Sequence, residues 1–211
     1  MRERKRAAVR ARLIVSAVAV AGLLLGGAAG LAAPATADTA PASGTPATVS
    51  ADPLPTVQQN GVVYAQVTVG NVVYATGSFS ETWPAGQTDQ PGSNETARGN
   101  LLAYNITTGA LVTGFAPGAL NAQGLGIAAS PDGKTIYVVG DFTKVGTAAA
   151  NHIAAFNAST GALVTSFTAS VSAEASAVAA TSSAVYVGGN FFQAGGKART
   201  RLAAFSPAGA L

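Results

Sequence analysis

The chain has 211 residues, with 12 Lys and Arg, 9 Asp and Glu, one His, one Trp and no Cys. Without cysteine there are no disulfides, thiolate metal sites or thiol nucleophiles. The formal charge of +3 misleads about partners: six of the basic residues and one acid precede position 38, the remainder carries about −2, and the basic isoelectric point gives no support to nucleic-acid binding.

The N-terminus reads as an export signal. Arg2, Arg4, Lys5, Arg6, Arg10 and Arg12 form a basic region, and a run of apolar and small residues extends from Leu13 to Ala33. Pro34 and the small-x-small triplet Ala35-Thr36-Ala37 close it. These are the parts of a secretory signal peptide over 1–37, cleaved between Ala37 and Asp38, so the mature protein is secreted or held at the cell surface. The competing reading is an uncleaved anchor, because a run of about 20 residues is long enough to span a bilayer. Pro34 and the glycines at 22, 26, 27 and 30 weigh against that reading, in which the membrane is met only through this segment. Residues 38–56 are Pro, Ala, Thr and Ser with few large apolar side chains, a composition expected of a disordered spacer.

The folded part starts near Val57 and repeats itself. "NLLAYNITTGALVTGF" (100–115) returns as "HIAAFNASTGALVTSF" (152–167) and begins again as "RLAAFSPAGAL" (201–211). A second echo precedes each copy: "VVYATGSF" (72–79), "TIYVVGDF" (135–142) and "AVYVGGNF" (184–191). Phe142 to Phe191 and Phe156 to Phe205 both span 49 residues. Copies therefore run over about 62–123, 124–174 and 175–211. The third stops before its equivalent of "VTSF" and reads as cut off in mid-repeat, with adjoining repeats or domains missing C-terminally. Tandem repeats of this period build solenoids, propellers or arrays.

Copy two shows the local pattern. "GLGIAAS" (124–130) is an apolar run closed by the turn "PDGK" (131–134), where Pro131 presets φ and Asp132-Gly133 suits a tight hairpin. "TIYVVG" (135–140), "HIAAFN" (152–157) and, after the turn "ASTG", "ALVTSF" (162–167) follow as strands. No segment shows helical spacing with caps. A four-stranded antiparallel meander in tandem is a propeller blade, with a β-solenoid as the weaker rival. The expected fold is all-β: a partial β-propeller of about three four-stranded blades over 57–211, preceded by a signal-peptide helix and the spacer.

"GIAASPDGKTIYVVGDF…HIAAFNASTGALVTSF" resembles the delta-60 class of bacterial β-propeller repeats, and the likeness covers residues 62–211. Copy one departs by an insertion, copy three has "TSSA" (181–184) in place of the "PDGK" turn, and Gly140 follows Val139 rather than a glycine. The resemblance implies an exported or surface-exposed propeller, often one module of a larger protein, and it implies no reaction. "VGGNF" is also similar to the di-glycine of kelch blades, but the Trp those blades repeat is absent, Trp83 being the only one.

Chemistry-bearing residues are few. His152, the only His, fills the same repeat slot as Asn100 and Arg201 and reads as the solvated start of a strand. Asp141, like Asn190 and Ser78, follows a glycine and reads as a cap on backbone N–H groups. No nucleophile elbow or calcium-loop spacing occurs, so no catalytic residue, metal or cofactor is expected. Asn105 and Asn157 fall in N-x-S/T triplets at the repeated turn, as turn chemistry requires. The stretch 80–100 breaks the repeat with 11 extra residues and gathers Trp83, Glu81, Asp89 and Glu95, a candidate ligand-binding loop, and Arg98, which aligns with Arg199. A Trp beside polar groups can stack on a sugar or dock a peptide; the plainer reading folds it back on the blade.

The expected function is an exported, non-catalytic scaffold binding a glycan, peptide or surface partner. Two alternatives stand beside it: the leading part of a secreted carbohydrate-active enzyme whose active site lies beyond Leu211, or a purely structural spacer. A quinoprotein is disfavoured, because its blades each need a docking Trp.

Overall fold

The computed structural model describes residues 54–87 and 94–211. The signal segment with its Ala37–Asp38 junction, the spacer up to Pro53 and Asp89 of the inserted loop lie outside the described residues. Leu54–Leu211 form one compact unit. Every described element is a strand, and no described helix is long and apolar enough to cross a membrane.

The first repeat holds β1 (Gln58–Gln59), β2 (Val62–Val69), β3 (Val72–Ser78), β4 (Glu81–Trp83), β5 (Thr96–Ala97) and β6 (Leu101–Asn105). The second holds β7 (Gly124–Ala129), β8 (Thr135–Gly140), β9 (Lys144–Val145), β10 (Ala148–Ala149) and β11 (Ile153–Asn157). The third holds β12 (Ala175–Ala180), β13 (Val185–Gly189), β14 (Gln193–Ala194), β15 (Lys197–Ala198) and β16 (Leu202–Phe205). Each repeat builds one three-stranded antiparallel sheet, in the orders β2-β3-β6, β7-β8-β11 and β12-β13-β16. Each also carries a short side hairpin, β4-β5, β9-β10 or β14-β15. The middle sheet packs between the other two, with β7 against both β2 and β12.

The fourth strand of each expected blade is reduced to one bridge in the first two repeats, Tyr104 to Leu111 and Phe156 to Leu163. Immediately afterwards the chain turns, Phe115 N–H donating to Val112 O and Phe167 N–H to Val164 O. That turn drives Phe115 and Phe167 inward. Phe115 is fully buried and meets Tyr74 edge-on at 5.1 Å, and Phe167 lies 5.4 Å from Tyr137. Seating a phenyl ring stabilises by about 2–3 kcal/mol, which offsets the loss of two or three further ladder bonds at about 1 kcal/mol each.

The "Gly-x-Phe" signature has a steric cause. The first strand of each sheet, β2, β7 or β12, carries a bulge at the same place, between Val63 and Ala65, Gly124 and Gly126, and Ala175 and Ala177. The bulge presses a carbonyl onto the partner strand, so a Cβ on Gly77, Gly140 or Gly189 would overlap Val62 O, Gln123 O or Glu174 O. Two residues later Phe142 and Phe191 enter the core with no exposed surface.

Candidate functional site in the first repeat

Two polar slots recur in register and hold the side hairpins. Asn60 accepts through Oδ1 from the N–H groups of Ser80 and Glu81, at 2.9 and 3.1 Å. Asn121 does the same for Thr143 and Lys144, both at 2.8 Å, and Ser172 Oγ for Phe192 and Gln193. The second slot is Asn100, His152 and Arg201, all at φ 66°, a left-handed conformation uncommon outside glycine. Their N–H groups donate to Phe79 O, Phe142 O and Phe191 O, and their carbonyls accept from Gly77, Gly140 and Gly189. The slot turns the chain from the side hairpin into the outer strand. His152 adds a ring contact, Nδ1 to Gly140 O at 3.1 Å.

The cap expected at Asp141 is not what that side chain does. Its carboxylate accepts from Gln123 Nε2 at 2.6 Å, because the bulge has brought Gln123 alongside. Backbone capping falls to Asn60, Asn121 and Ser172 instead. Their similar offsets ahead of the side hairpin, 20, 22 and 20 residues, were the signal available in the sequence. Asn105 and Asn157 behave as turn chemistry requires, each Oδ1 accepting from two following N–H groups.

The insertion lengthens one hairpin tip. In the second repeat Gly146 and Thr147 alone join Val145 to Ala148, which pair across the turn. In the first repeat Thr82 pairs with Thr96 and Glu81 with Ala97, so residues 83–95 take the place of that two-residue tip. β1 pairs with β4 on the other side, Gln58 with Trp83 and Gln59 with Thr82. Trp83 is folded back: it is 7% exposed, and its indole N–H donates to Gln87 O at 2.9 Å. It walls a cleft of about 220 Å³ with Val57, Thr82, Thr96, Leu111 and Thr113. Glu81 is exposed and Glu95 half-buried, and neither lines that cleft. Arg98 and Arg199 both donate through Nη1 to the carbonyl before them at 2.9 Å, a repeated contact belonging to the scaffold. Burial lowers the Arg98 pKa from its ordinary value without discharging the group at neutral pH.

Among the described residues the cleft offers apolar walls, hydroxyls, the Asn94 amide and one indole, and no charged side chain lines it. Such a lining suits a neutral ligand held by contact area and a few hydrogen bonds. Among the described residues no group of three or more His, Asp or Glu is placed to hold a metal ion.

No family model and no curated protein matches the chain. Among solved structures it is similar to the computationally designed Ika4 protein, at 16% identity and a TM-score of 0.36, over 71% of this chain and 93% of that one. It is also similar to the computationally designed Ika8 protein, at 14% identity and a TM-score of 0.37, over 70% of this chain and 46% of that one. Both likenesses are too slight to assign a fold or a function.

Proposed function

We propose that the chain is an exported, non-catalytic scaffold of the β-propeller type that binds a neutral glycan through the lengthened hairpin of its first repeat. One observation carries this reading. The three repeats share register, bulge, left-handed slot and polar clamp, and the largest departure from them places Trp83 and its cleft, uncharged among the described residues, at one hairpin tip. Binding groups favour loops held on a rigid frame, and here the frame is the repeated sheet. Export rests on the basic, apolar and Ala-x-Ala sequence of residues 1–37. Peptide or surface-protein partners use the same apolar walls and are the other outcomes of the test.

A second reading, a structural spacer, is favoured by the burial of Trp83 itself. The two are separated by the fluorescence of this single Trp. Titration with soluble oligosaccharides of glucose, xylose or N-acetylglucosamine shifts or quenches it saturably if the cleft binds. An already blue-shifted emission that ignores every sugar and a neutral peptide supports the spacer. Release of shorter products from those sugars would instead require an enzyme.

A further inference from the structure

Charge is divided unevenly among the repeats. Residues 62–123 hold Glu81, Asp89 and Glu95 against Arg98, and residues 124–174 hold Asp132, Asp141 and Glu174 against Lys134 and Lys144. Residues 175–211 hold Lys197, Arg199 and Arg201 and no Asp or Glu. The third repeat is thus a cationic module on a chain that is otherwise acidic after position 37, and a local field of this kind selects partners of opposite sign. None of its three cations forms an ion pair among the described residues.

All three lie on or beside the β14-β15 hairpin, whose tip is Gly195 and Gly196 at φ 53° and 74°. Arg199 N–H donates to Phe192 O at 3.0 Å and Arg201 N–H to Phe191 O at 2.9 Å, which sets both arginines across from these phenylalanines. Phe191 is buried, whereas Phe192 is 62% exposed. Lys197, Arg199 and Arg201 are exposed as well. Such exposure is a property of the side hairpin itself. In the second repeat, which has a sheet on either side, the corresponding Thr143, Lys144, Ala148 and Ala149 are exposed too. Ser80 and Thr143 fill the place of Phe192 in the earlier repeats, so the ring, like the charge, is particular to the third.

We propose that this hairpin binds an anionic glycan, its charge carried on carboxylate or phosphodiester groups. Guanidinium groups hold such oxygens two at a time, and the flexible Lys197 ammonium adds a third cation. Arg199 gives one Nη1 bond to Ala198 O and keeps the rest of its fork for a ligand. An exposed phenyl ring offers the apolar face of a sugar a surface to stack on. Phe192 is the one large apolar side chain exposed on the hairpin. Beside it and the cations stand Gln193, Ala198 and Thr200, which make no apolar face to enter a bilayer. The site is separate from the Trp83 cleft and takes a ligand of different charge.

Anisotropy titration of labelled oligogalacturonate and of labelled oligo(glycerol phosphate) with the full chain tests this. The six basic residues before position 13 are changed to Gln in every sample, so that only the charge of the repeats is read. The chain binds at least one of the two saturably, which names the anion, and ignores the fully methyl-esterified galacturonate, the same sugar chain without its charge. Lys197→Gln together with Arg201→Gln weakens binding by about tenfold or more, and Phe192→Ala by about threefold. Lys144→Gln, on the matching hairpin of the second repeat, changes it by less than about twofold. No binding of either glycan overturns the proposal, as does equal binding of the ester, or a loss with Lys144→Gln as large as with the paired variant. Tighter binding of duplex DNA or of anionic phospholipid vesicles than of both glycans overturns it in favour of a nucleic acid or a membrane. The substituted sites are exposed, and matching thermal melts establish that the variants fold; Arg201→Gly, suited to φ 66°, replaces Arg201→Gln where they do not.

Discussion

Replacing each residue of the left-handed slot by glycine separates backbone strain from side-chain bonding. A non-glycine residue in this conformation costs about 1–2 kcal/mol, less for Asn, and glycine relieves it. Glycine also adds about 0.4–1 kcal/mol of unfolded-chain entropy. The difference between sites lies in what the side chain does. Asn100 accepts from Phe79 N–H at 2.8 Å and donates through Nδ2 to Leu120 O and Ala122 O, both at 3.0 Å. Three such bonds contribute about 1.5–4.5 kcal/mol. His152 makes one, and the exposed Arg201 side chain adds none among the described residues. Asn100→Gly is therefore expected to destabilise by about 3 kcal/mol, lowering the melting temperature by roughly 6–12 °C. His152→Gly falls within about 1 kcal/mol of neutral, and Arg201→Gly is neutral or stabilising by about 0.5 kcal/mol. Calorimetry and urea denaturation of the full chain read all three. Arg201→Gly costing as much as Asn100→Gly would refute the reasoning.

Neighbouring phenylalanines give a sharper contrast: Phe191 is fully buried and Phe192 is 62% exposed. Phe191→Ala should cost about 3–5 kcal/mol and Phe192→Ala less than about 0.5 kcal/mol in urea denaturation. Asp132 accepts from Ser130 Oγ and from Lys134 N–H, and these bonds hold its carboxyl below the ordinary carboxylate value. Its contribution to the turn is thus present above that ordinary value and is lost as pH falls through the depressed one. NMR titration should find Asp132 acid-shifted and Ser130→Ala moving it back up; titration above the ordinary value contradicts this. N-terminal sequencing of the exported protein should begin at Asp38, and retention of residues 1–37 in a membrane fraction would replace secretion by anchoring.

What the sequence disclosed was periodicity. The Phe-to-Phe offset of 49 residues and the β-branched runs located the strands of the three sheets, because side-chain burial imposes its pattern directly on composition. It did not disclose that "VTGF" and "VTSF" leave the ladder after one bridge, since a strand and a turn that buries a phenyl ring share the same residues. The left-handed slot was hidden for a different reason. Asn100, His152 and Arg201 have nothing in common as side chains, and the backbone alone is shared. The clamps at Asn60 and Asn121 lie some 20 residues from the hairpins they hold, so only the register of the repeats reveals them. At the inserted loop the sequence supplied Trp83 but not its direction. An indole N–H that finds Gln87 O four residues away folds inward, the plainer of the two directions the composition allowed.

The shortened hairpin tests the account most directly. Residues 83–95 are replaced by Gly-Thr, the tip that joins Val145 to Ala148 in the second repeat. Calorimetric titration with the neutral oligosaccharides is then compared between this variant and the unmodified chain. The account predicts saturable heat for the unmodified chain, none for the variant, and thermal melts within a few degrees of each other. Equal heats for both would place binding elsewhere, and collapse of the variant's melt would show the loop to be part of the core rather than a site carried on it.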